Sequence, residues 1–389
     1  MGLILIRRKL LSIGHSYVVD VNRVLPNELQ KQSKGAWEVT VVAPKHFRGK
    51  NDIRPLDLKL SKNDGCQVEA LEAHLTNHIH FFRYERRLRS LLQGDFDLIH
   101  AWEEPYLCVG MQIAFNTPTK TPLVFRSAQS LNKKYIVPFN WIERYCVNRM
   151  SGWIFSGKLV EENLLTRPGY SGKPRCHAPL GYDPSTMHVD KPAGQAIRRT
   201  LGWDNSIPVI GYLGRFVAEK GISVLMSALD KLHSSWRLLM VGNGPMLGKL
   251  RKWSKKYPDR VAICSKVKHH EVAPYINAMD MMVAPSLTFP NWREQFGRMI
   301  VEAFACGVPI IGSDSGEIPN VIGDSGMVVP ENNSKILANA IEQLIDSPGL
   351  RSEFTKSGLA VANEKYTWSK IATHTLKFFD QIIHSKASQ

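Results

Sequence analysis

The 389-residue sequence predicts an α/β protein made of two doubly wound parallel-sheet domains. Three observations carry that prediction. Strand-length apolar runs alternate with helical patterns along nearly the whole chain. Several of those runs are continuously apolar, as strands covered by helices on both faces must be. The chain is also longer than one hydrophobic core usually serves.

In the first half the strand runs are KLLSIGH (9–15), EVTVVAP (38–44), LIHAW (98–102), PLVFRS (122–127) and GWIFSG (152–157). In the second half they are PVIGYLG (208–214), RLLMVGNG (237–244), RVAICSKV (260–267), DMMVAPS (280–286) and PIIGSD (309–314). After Gly221, the side chains of Ile222, Leu225, Met226, Leu229 and Leu232 share one helical stripe. Pro245, just behind Gly-Asn-Gly, suits a first helical turn. Ile371, Phe378, Phe379, Ile382 and Ile383 fall on a last helix. The stretch 183–206 is polar and punctuated by Pro and Gly, which puts the domain boundary there. The expected division is an N-terminal domain over 1–190, a second over 191–368, and a helix over 369–389 packing back on the first. Ligands of such domains bind beyond the strand carboxyl ends, here in a cleft between two facing domains.

Composition narrows the function classes. Hydrophobic residues make up 43% and charged residues 22%, which excludes a disordered chain or a fibrous repeat. No apolar run approaches the ~18–20 residues that span a bilayer. At the amino end, MGLILIRRKLL is interrupted by Arg7 and Arg8 before a signal-peptide core forms, and Ile6 breaks the myristoylation pattern. Cys66, Cys108, Cys146, Cys176, Cys264 and Cys306 are scattered with no CxxC pair, as in a reduced, cytoplasmic chain without a zinc site. The net charge is +15. Residues 1–190 hold 26 Lys+Arg against 18 Asp+Glu, and the remainder 24 against 17. An excess spread so evenly argues against a nucleic-acid-binding arm and suits anionic substrates or an anionic membrane surface.

The densest chemical signal is EQFGRMIVEAFACGVPIIGSDSGEIPNVIGDSGMVVP (294–330). Glu294 and Glu302 are separated by seven residues, two helical turns apart, with a helix opening near Phe296–Gly297. A strand, a loop and a helix N-terminus in that order offer free backbone N–H groups and a positive dipole end, suited to a sugar diphosphate. One carboxylate can accept from sugar hydroxyls and the other can hold a ribose diol. Arg215 and Lys220 sit on the loop between the strand ending at Gly214 and the helix after Gly221. A planar guanidinium and a mobile ammonium there can both reach a diphosphate.

Glu294 to Glu302 within FGRMIVEAFACGVPII, followed by SGEIP and VIGDSGMVVP, resembles glycosyltransferase family 4, the large retaining GT-B family. GYLGRFVAEKG (211–221) is similar to that family's Gly-Arg-x4-Lys-Gly element, and LLMVGNGP (238–245) and DMMVAPS (280–286) follow in the family's order. The resemblance is specific over 208–330 and diffuse in the first half. It implies a GT-B fold, two Rossmann-like domains, and transfer of a sugar from a UDP- or GDP-sugar to an acceptor hydroxyl with retention of configuration. It further implies diphosphate binding by Arg215 and Lys220, the ribose on Glu302 and the transferred sugar on Glu294, beside the Phe296 and Gly297 amides. Front-face substitution, which the resemblance favours, needs neither a protein nucleophile nor a metal ion.

In the first half, Gly14–His15 follows the first strand, where the family has a glycine turn near the donor phosphate. FDLIHAWEEP (96–105) resembles the family's D-hydrophobic-H-x-H-x-P segment, with His100 kept and Trp102 in place of the second histidine. PLVFRSAQS (122–130) puts Arg126, Ser127 and Gln129 where many members carry a histidine, so His15, His100, Arg126 and Gln129 are the acceptor-side candidates. His100 reads equally as a buried, hydrogen-bonded strand residue.

Other patterns carry less. GNGPMLG (242–248) lacks the full dinucleotide fingerprint, and Asp95–Phe96–Asp97 leads into a strand where a metal-holding DxD would end one. HIHFFRYERRLRSLL (78–92) reads as a basic, aromatic surface helix or as an interfacial membrane or lipid-acceptor contact, with Trp141, Arg144 and Tyr145 adding to the latter. The competing functions are a nucleotide-sugar epimerase, an NAD-dependent dehydrogenase and an idle sugar-nucleotide binder.

Overall fold

A computed structural model describes residues 7–49, 56–60 and 64–387. Met1–Ile6, which bear on the reading of the amino end, lie outside the described residues. The chain divides into two compact units, Met1–Pro179 with Trp368–Gln389, and Leu180–Thr367. No described helix is long and apolar enough to cross a membrane. All six cysteines are free.

The first unit is built on a parallel sheet of β1 (Arg8–Ile13), β2 (Trp37–Pro44), β3 (Gln67–Leu71), β4 (Leu98–Ala101), β5 (Leu123–Ser127), β6 (Gly152–Phe155) and β7 (Arg175–His177). Its order is β7-β6-β5-β4-β1-β2-β3. Successive strands run outward from β1 in one direction and from β4 in the other, so the winding reverses between β1 and β4. Leu11, Ile13, Val42, Ile99 and Phe125 belong to a buried core on one face, and Leu10, Val39, Leu98 and Val124 are buried on the other, which is why these segments carry apolar residues on both faces. The last helix, Trp368–Ala387, belongs to this unit and packs on the helix Val24–Gln32. It buries Ile371, Phe378, Phe379 and Ile382, and Asp380 is ion-paired with Arg8.

The second unit has a six-stranded parallel sheet of β8 (Val209–Leu213), β9 (Arg237–Val241), β10 (Val261–Cys264), β11 (Met281–Ala284), β12 (Ile310–Ser313) and β13 (Gly326–Val329). The order β10-β9-β8-β11-β12-β13 reverses between β8 and β11. The divide between units lies at Pro179–Leu180. The polar stretch 183–206 lies within the second unit and carries the helix Lys191–Thr200. Asp190 caps that helix by accepting from the Ala193 N–H at 3.0 Å. Arg198 holds it down by donating to Asp280 at 2.8 Å and to the Ala278 carbonyl at 2.9 Å.

Three strands and one helix differ from the sequence expectation. The strands β3, β7 and β13 are absent from the apolar runs, and all three are sheet edges. An edge strand keeps polar side chains on its open side, so QVEAL, RCH and GMVV lose the continuous apolar signature. The segment 78–92 is not one helix: Arg83–Tyr84 is a short strand and only Arg87–Leu92 is helical. Phe82 and Tyr84 are buried while Phe81 and Arg83 face out, and that two-residue alternation overrides the basic helical pattern.

Candidate functional site

In the second unit the sequence-selected residues gather where the winding reverses. β8 ends at Leu213 and the chain turns through Gly214 (φ +151°), whose N–H bonds the Val241 carbonyl at 3.0 Å. Arg215 follows. The buried Tyr212 hydroxyl donates to its carbonyl at 2.9 Å, which fixes the backbone and leaves the guanidinium exposed, 3.9 Å from Glu219. A short 3-10 turn, Ala218–Lys220, then delivers Lys220, and Gly221 closes it in the left-handed region at φ +67°. A Cβ at Gly221 would lie 1.7 Å from the Pro285 carbonyl oxygen, so only glycine lets this turn lie against the segment leaving β11. The Leu287 N–H, donating to Glu219 O at 2.8 Å, completes the seam.

Across that seam stands Glu294. Its carboxylate is ion-paired with the Lys220 ammonium and accepts from Ser286 Oγ at 3.0 Å. Lys220 Nζ lies 5.1 Å from the centre of the Trp292 ring, a cation–π contact. The Glu294 backbone is held by the Glu317 N–H, which donates to its carbonyl at 3.0 Å. Gly316 (φ +59°) makes this approach possible, since a Cβ there would meet Glu294 O at 2.0 Å. Phe296 is buried with its ring edge-on to Tyr366. Gly297, at φ +87°, is the N-cap of the helix Arg298–Ala305, whose first-turn amides have no intrahelical acceptors. That helix therefore begins one residue after the expected Phe296–Gly297 opening. Glu302 lies buried on it, with Oε1 2.7 Å from His269 Nε2.

Thus the structure brings Lys220 and Glu294 into direct contact and puts Arg215 on the same loop as Lys220. It places Glu302 against His269, a residue the sequence reading passed over. His269 opens the 3-10 turn His269–Glu271 after β10. Its only trace in the sequence is the polar tetrapeptide KHHE, which reads as an ordinary loop.

The first unit has its own cluster where its winding reverses. Gly14 and His15 follow β1; Trp102, Glu103 and Glu104 follow β4; Ser127 ends β5. Gly14 is extended, φ −164°, and its carbonyl accepts from the Tyr17 N–H at 3.2 Å, opening the 3-10 turn His15–Val18. What selects glycine is space: a Cβ would sit 3.1 Å from the Tyr17 ring and 3.2 Å from Trp102 Cβ. The His15 backbone N–H donates to Glu103 Oε1 at 2.6 Å, and its Nδ1 is 2.7 Å from Oε2. Burial works against protonation of His15, but the charge and hydrogen bond of Glu103 and the charge of Glu104 outweigh it, and its pKa rises. Glu104 accepts from Ser127 Oγ at 2.6 Å and from the Ala128 N–H at 2.7 Å. Burial lifts its pKa to about 7 in spite of those two bonds. Neither glutamate was selected from the sequence.

His100, Arg126 and Gln129 take structural positions. His100 is fully buried in β4, with Nδ1 2.9 Å from Ser12 Oγ. Burial, with the charge of Arg126, pushes its pKa down to about 3, so it is a neutral core histidine. Arg126 donates to the Ala178 carbonyl at 2.6 Å and stacks 4.0 Å from the Trp102 ring centre. The indole standing where the family has a histidine is therefore used to seat this guanidinium. Gln129 is buried and donates to the Tyr135 hydroxyl at 3.1 Å. His15 is the acceptor-side candidate that retains partial exposure.

Residues 194–360 match the family model described as glycosyl transferases group 1. The chain is 26% identical over 322 residues to a phosphatidyl-myo-inositol mannosyltransferase of Mycobacterium leprae, covering 78% of each chain. It is 22% identical over 294 residues to an alpha-maltose-1-phosphate synthase of Mycolicibacterium smegmatis, 71% of this chain and 74% of that one. Among solved structures, Anabaena HepE in complex with UDP and glucose matches at a TM-score of 0.74 and 17% identity, covering 96% of this chain and 100% of that chain. That likeness gives the fold, GT-B. The stretch 194–360, which holds Arg215, Lys220, Glu294 and Glu302, belongs to the group 1 glycosyl transferases, and the chain is a glycosyltransferase of the GT-B fold.

Proposed function

We propose that this glycosyltransferase moves a sugar from a UDP- or GDP-sugar to an acceptor hydroxyl of a glycan, glycolipid or small molecule, with retention of anomeric configuration and without a metal ion. One observation carries the reading: the Lys220–Glu294 pair lies on the two loops that leave β8 and β11, where the winding of the second sheet reverses. That edge of a doubly wound sheet is where ligands bind.

In this reading Arg215 and Lys220 neutralise the donor diphosphate. An ammonium has three donors; Glu294 takes one, and the others serve phosphate oxygens. The Phe296 and Gly297 amides and the dipole of the helix Arg298–Ala305 add to the same anion site. Glu294 accepts from hydroxyls of the transferred sugar and Glu302, steadied by His269, from the ribose diol. Gly214 keeps backbone close to the donor. In the step itself the bond between anomeric carbon and diphosphate oxygen breaks, its electron pair leaving with the diphosphate. The acceptor oxygen attacks the same face of the oxocarbenium-like centre, and its proton passes to the departing oxygen. Cytoplasmic residence belongs to the same proposal, supported by six cysteines without a disulfide.

The test is a melting-temperature screen against UDP, GDP, ADP and their sugars, with and without EDTA, followed by NMR assignment of the product anomer. A stabilising nucleotide identifies the donor base. Stabilisation that disappears in EDTA overturns metal independence, and an inverted anomer overturns retention. Stabilisation by NAD(H) alone, or conversion of the donor sugar without an acceptor, replaces transfer with a dehydrogenase or an epimerase.

A further inference from the structure

We infer that the first unit carries a docking face for an anionic lipid bilayer, formed by residues 133–145 together with Phe81. The inference goes beyond the transfer reaction and does not depend on the donor assignments. The helix Phe139–Arg149 is amphipathic. Glu143, Cys146 and Val147 are buried, while Trp141, Arg144, Tyr145 and Asn148 face out at the three- and four-residue spacing of one helical face. Trp141 is 65% exposed. Just ahead of the helix, Ile136 is 76% exposed and Val137 also faces out. Phe81 joins the patch from another segment, its exposed ring meeting Phe139 edge-on at 5.4 Å. Large exposed apolar side chains are usually scattered singly; gathered on one face, they mark a surface that something covers.

Charge identifies the occupant. Lys133, Lys134 and Arg144 flank the apolar side chains. The one carboxylate between residues 131 and 149 is Glu143, buried and taken by Arg167, whose Nε donates to it at 2.7 Å. The exposed face is therefore apolar, aromatic and of one sign. Trp and Tyr sit well at the level of lipid headgroups, with aliphatic side chains below and Lys and Arg on anionic phosphates. The chain's net charge of +15 adds a long-range attraction to the same surface.

Flotation of the intact protein with vesicles tests this. The protein floats with phosphatidylcholine vesicles containing phosphatidylglycerol, stays behind with phosphatidylcholine alone, and is released by salt. Lys134→Gln with Arg144→Gln lowers the partition constant about thirtyfold, from two cations each acting about fivefold near an anionic surface. Ile136→Ser with Trp141→Ser lowers it by at least about tenfold. All four side chains are exposed, so melting temperature stays unchanged. Ile336→Ser, an exposed apolar position in the second unit, leaves flotation as it was. Equal flotation without phosphatidylglycerol, or patch variants that float like the parent, overturns the inference. So does sedimentation that shows a dimer dissolved by Trp141→Ser with no flotation, since the patch then serves a second copy of the chain.

Discussion

Replacing Lys220 by Met removes one half of a buried ion pair and leaves the other half where it is. The side chain of Glu294 is 9% exposed and that of Lys220 15%. After the substitution the described hydrogen-bond partner of the Glu294 carboxylate is the Ser286 hydroxyl, at 3.0 Å. Leaving one member of a buried pair uncompensated costs about 3–5 kcal/mol. Lys220 keeps some access to water, so the lower end applies, about 3 kcal/mol. For a unit of nearly 190 residues that lowers the melting temperature by about 6–12 °C. The second substitution makes the argument sharp. In Lys220→Met/Glu294→Gln no charge is stranded, and stability returns to within about 1 kcal/mol of the parent. On the proposed roles activity does not return, because the diphosphate has lost its ammonium and the sugar its carboxylate. Thermal and urea unfolding of the four proteins, beside a transfer assay, separates the two effects. A single variant as stable as the parent, or a double variant destabilised by the sum of its parts, refutes the buried-pair reasoning. Full turnover by Lys220→Met refutes the role at the diphosphate.

Arg215→Ala should lower kcat/KM by about 100-fold or more while leaving the melting temperature within about 1 °C, since the guanidinium is exposed and its pairing with Glu219 is loose at 3.9 Å. Gly316→Ala touches no polar side chain yet should cost about 2–4 kcal/mol, because it combines a left-handed φ with a Cβ 2.0 Å from the Glu294 carbonyl oxygen; donor affinity, read by titration calorimetry, should fall with it. Glu104 holds its proton more tightly folded, at about 7, than unfolded, so its contribution to stability is present below about pH 4.5 and is lost as pH rises through 7. Urea midpoints of the parent should therefore fall more steeply from pH 5 to 8 than those of Glu104→Gln.

How much could be read in advance depended on where a residue's partners lie in the chain. Central strands such as Trp37–Pro44 and Ile310–Ser313 are buried on both faces and announce themselves as apolar runs, whereas Gln67–Leu71, Arg175–His177 and Gly326–Val329 border each sheet and do not. Arg215, Lys220, Glu294 and Glu302 were legible because they stand inside a long family pattern. The pairing of His15 with Glu103 joins residues 88 positions apart, and that of His269 with Glu302 joins residues 33 apart. Neither histidine nor glutamate has a local neighbour that betrays the contact. His100 shows the reverse: a titratable side chain within a recognisable motif that burial, with the charge of Arg126, holds neutral in the core. Motif spacing can name a histidine but cannot reveal the dielectric around it.

Because residues 368–387 are completed only after the whole of 180–367, the two units mature in an unusual order during synthesis. The second unit is a single uninterrupted segment and can acquire its full set of strands while still attached to the ribosome. The first, although translated earlier, lacks the helix that covers Trp37 and His100 through Phe379 until translation has passed beyond its neighbour. Its sheet must wait with that apolar face open. The first unit is therefore more exposed to aggregation and to chaperone capture than the second, for as long as the ribosome takes to travel through the second unit.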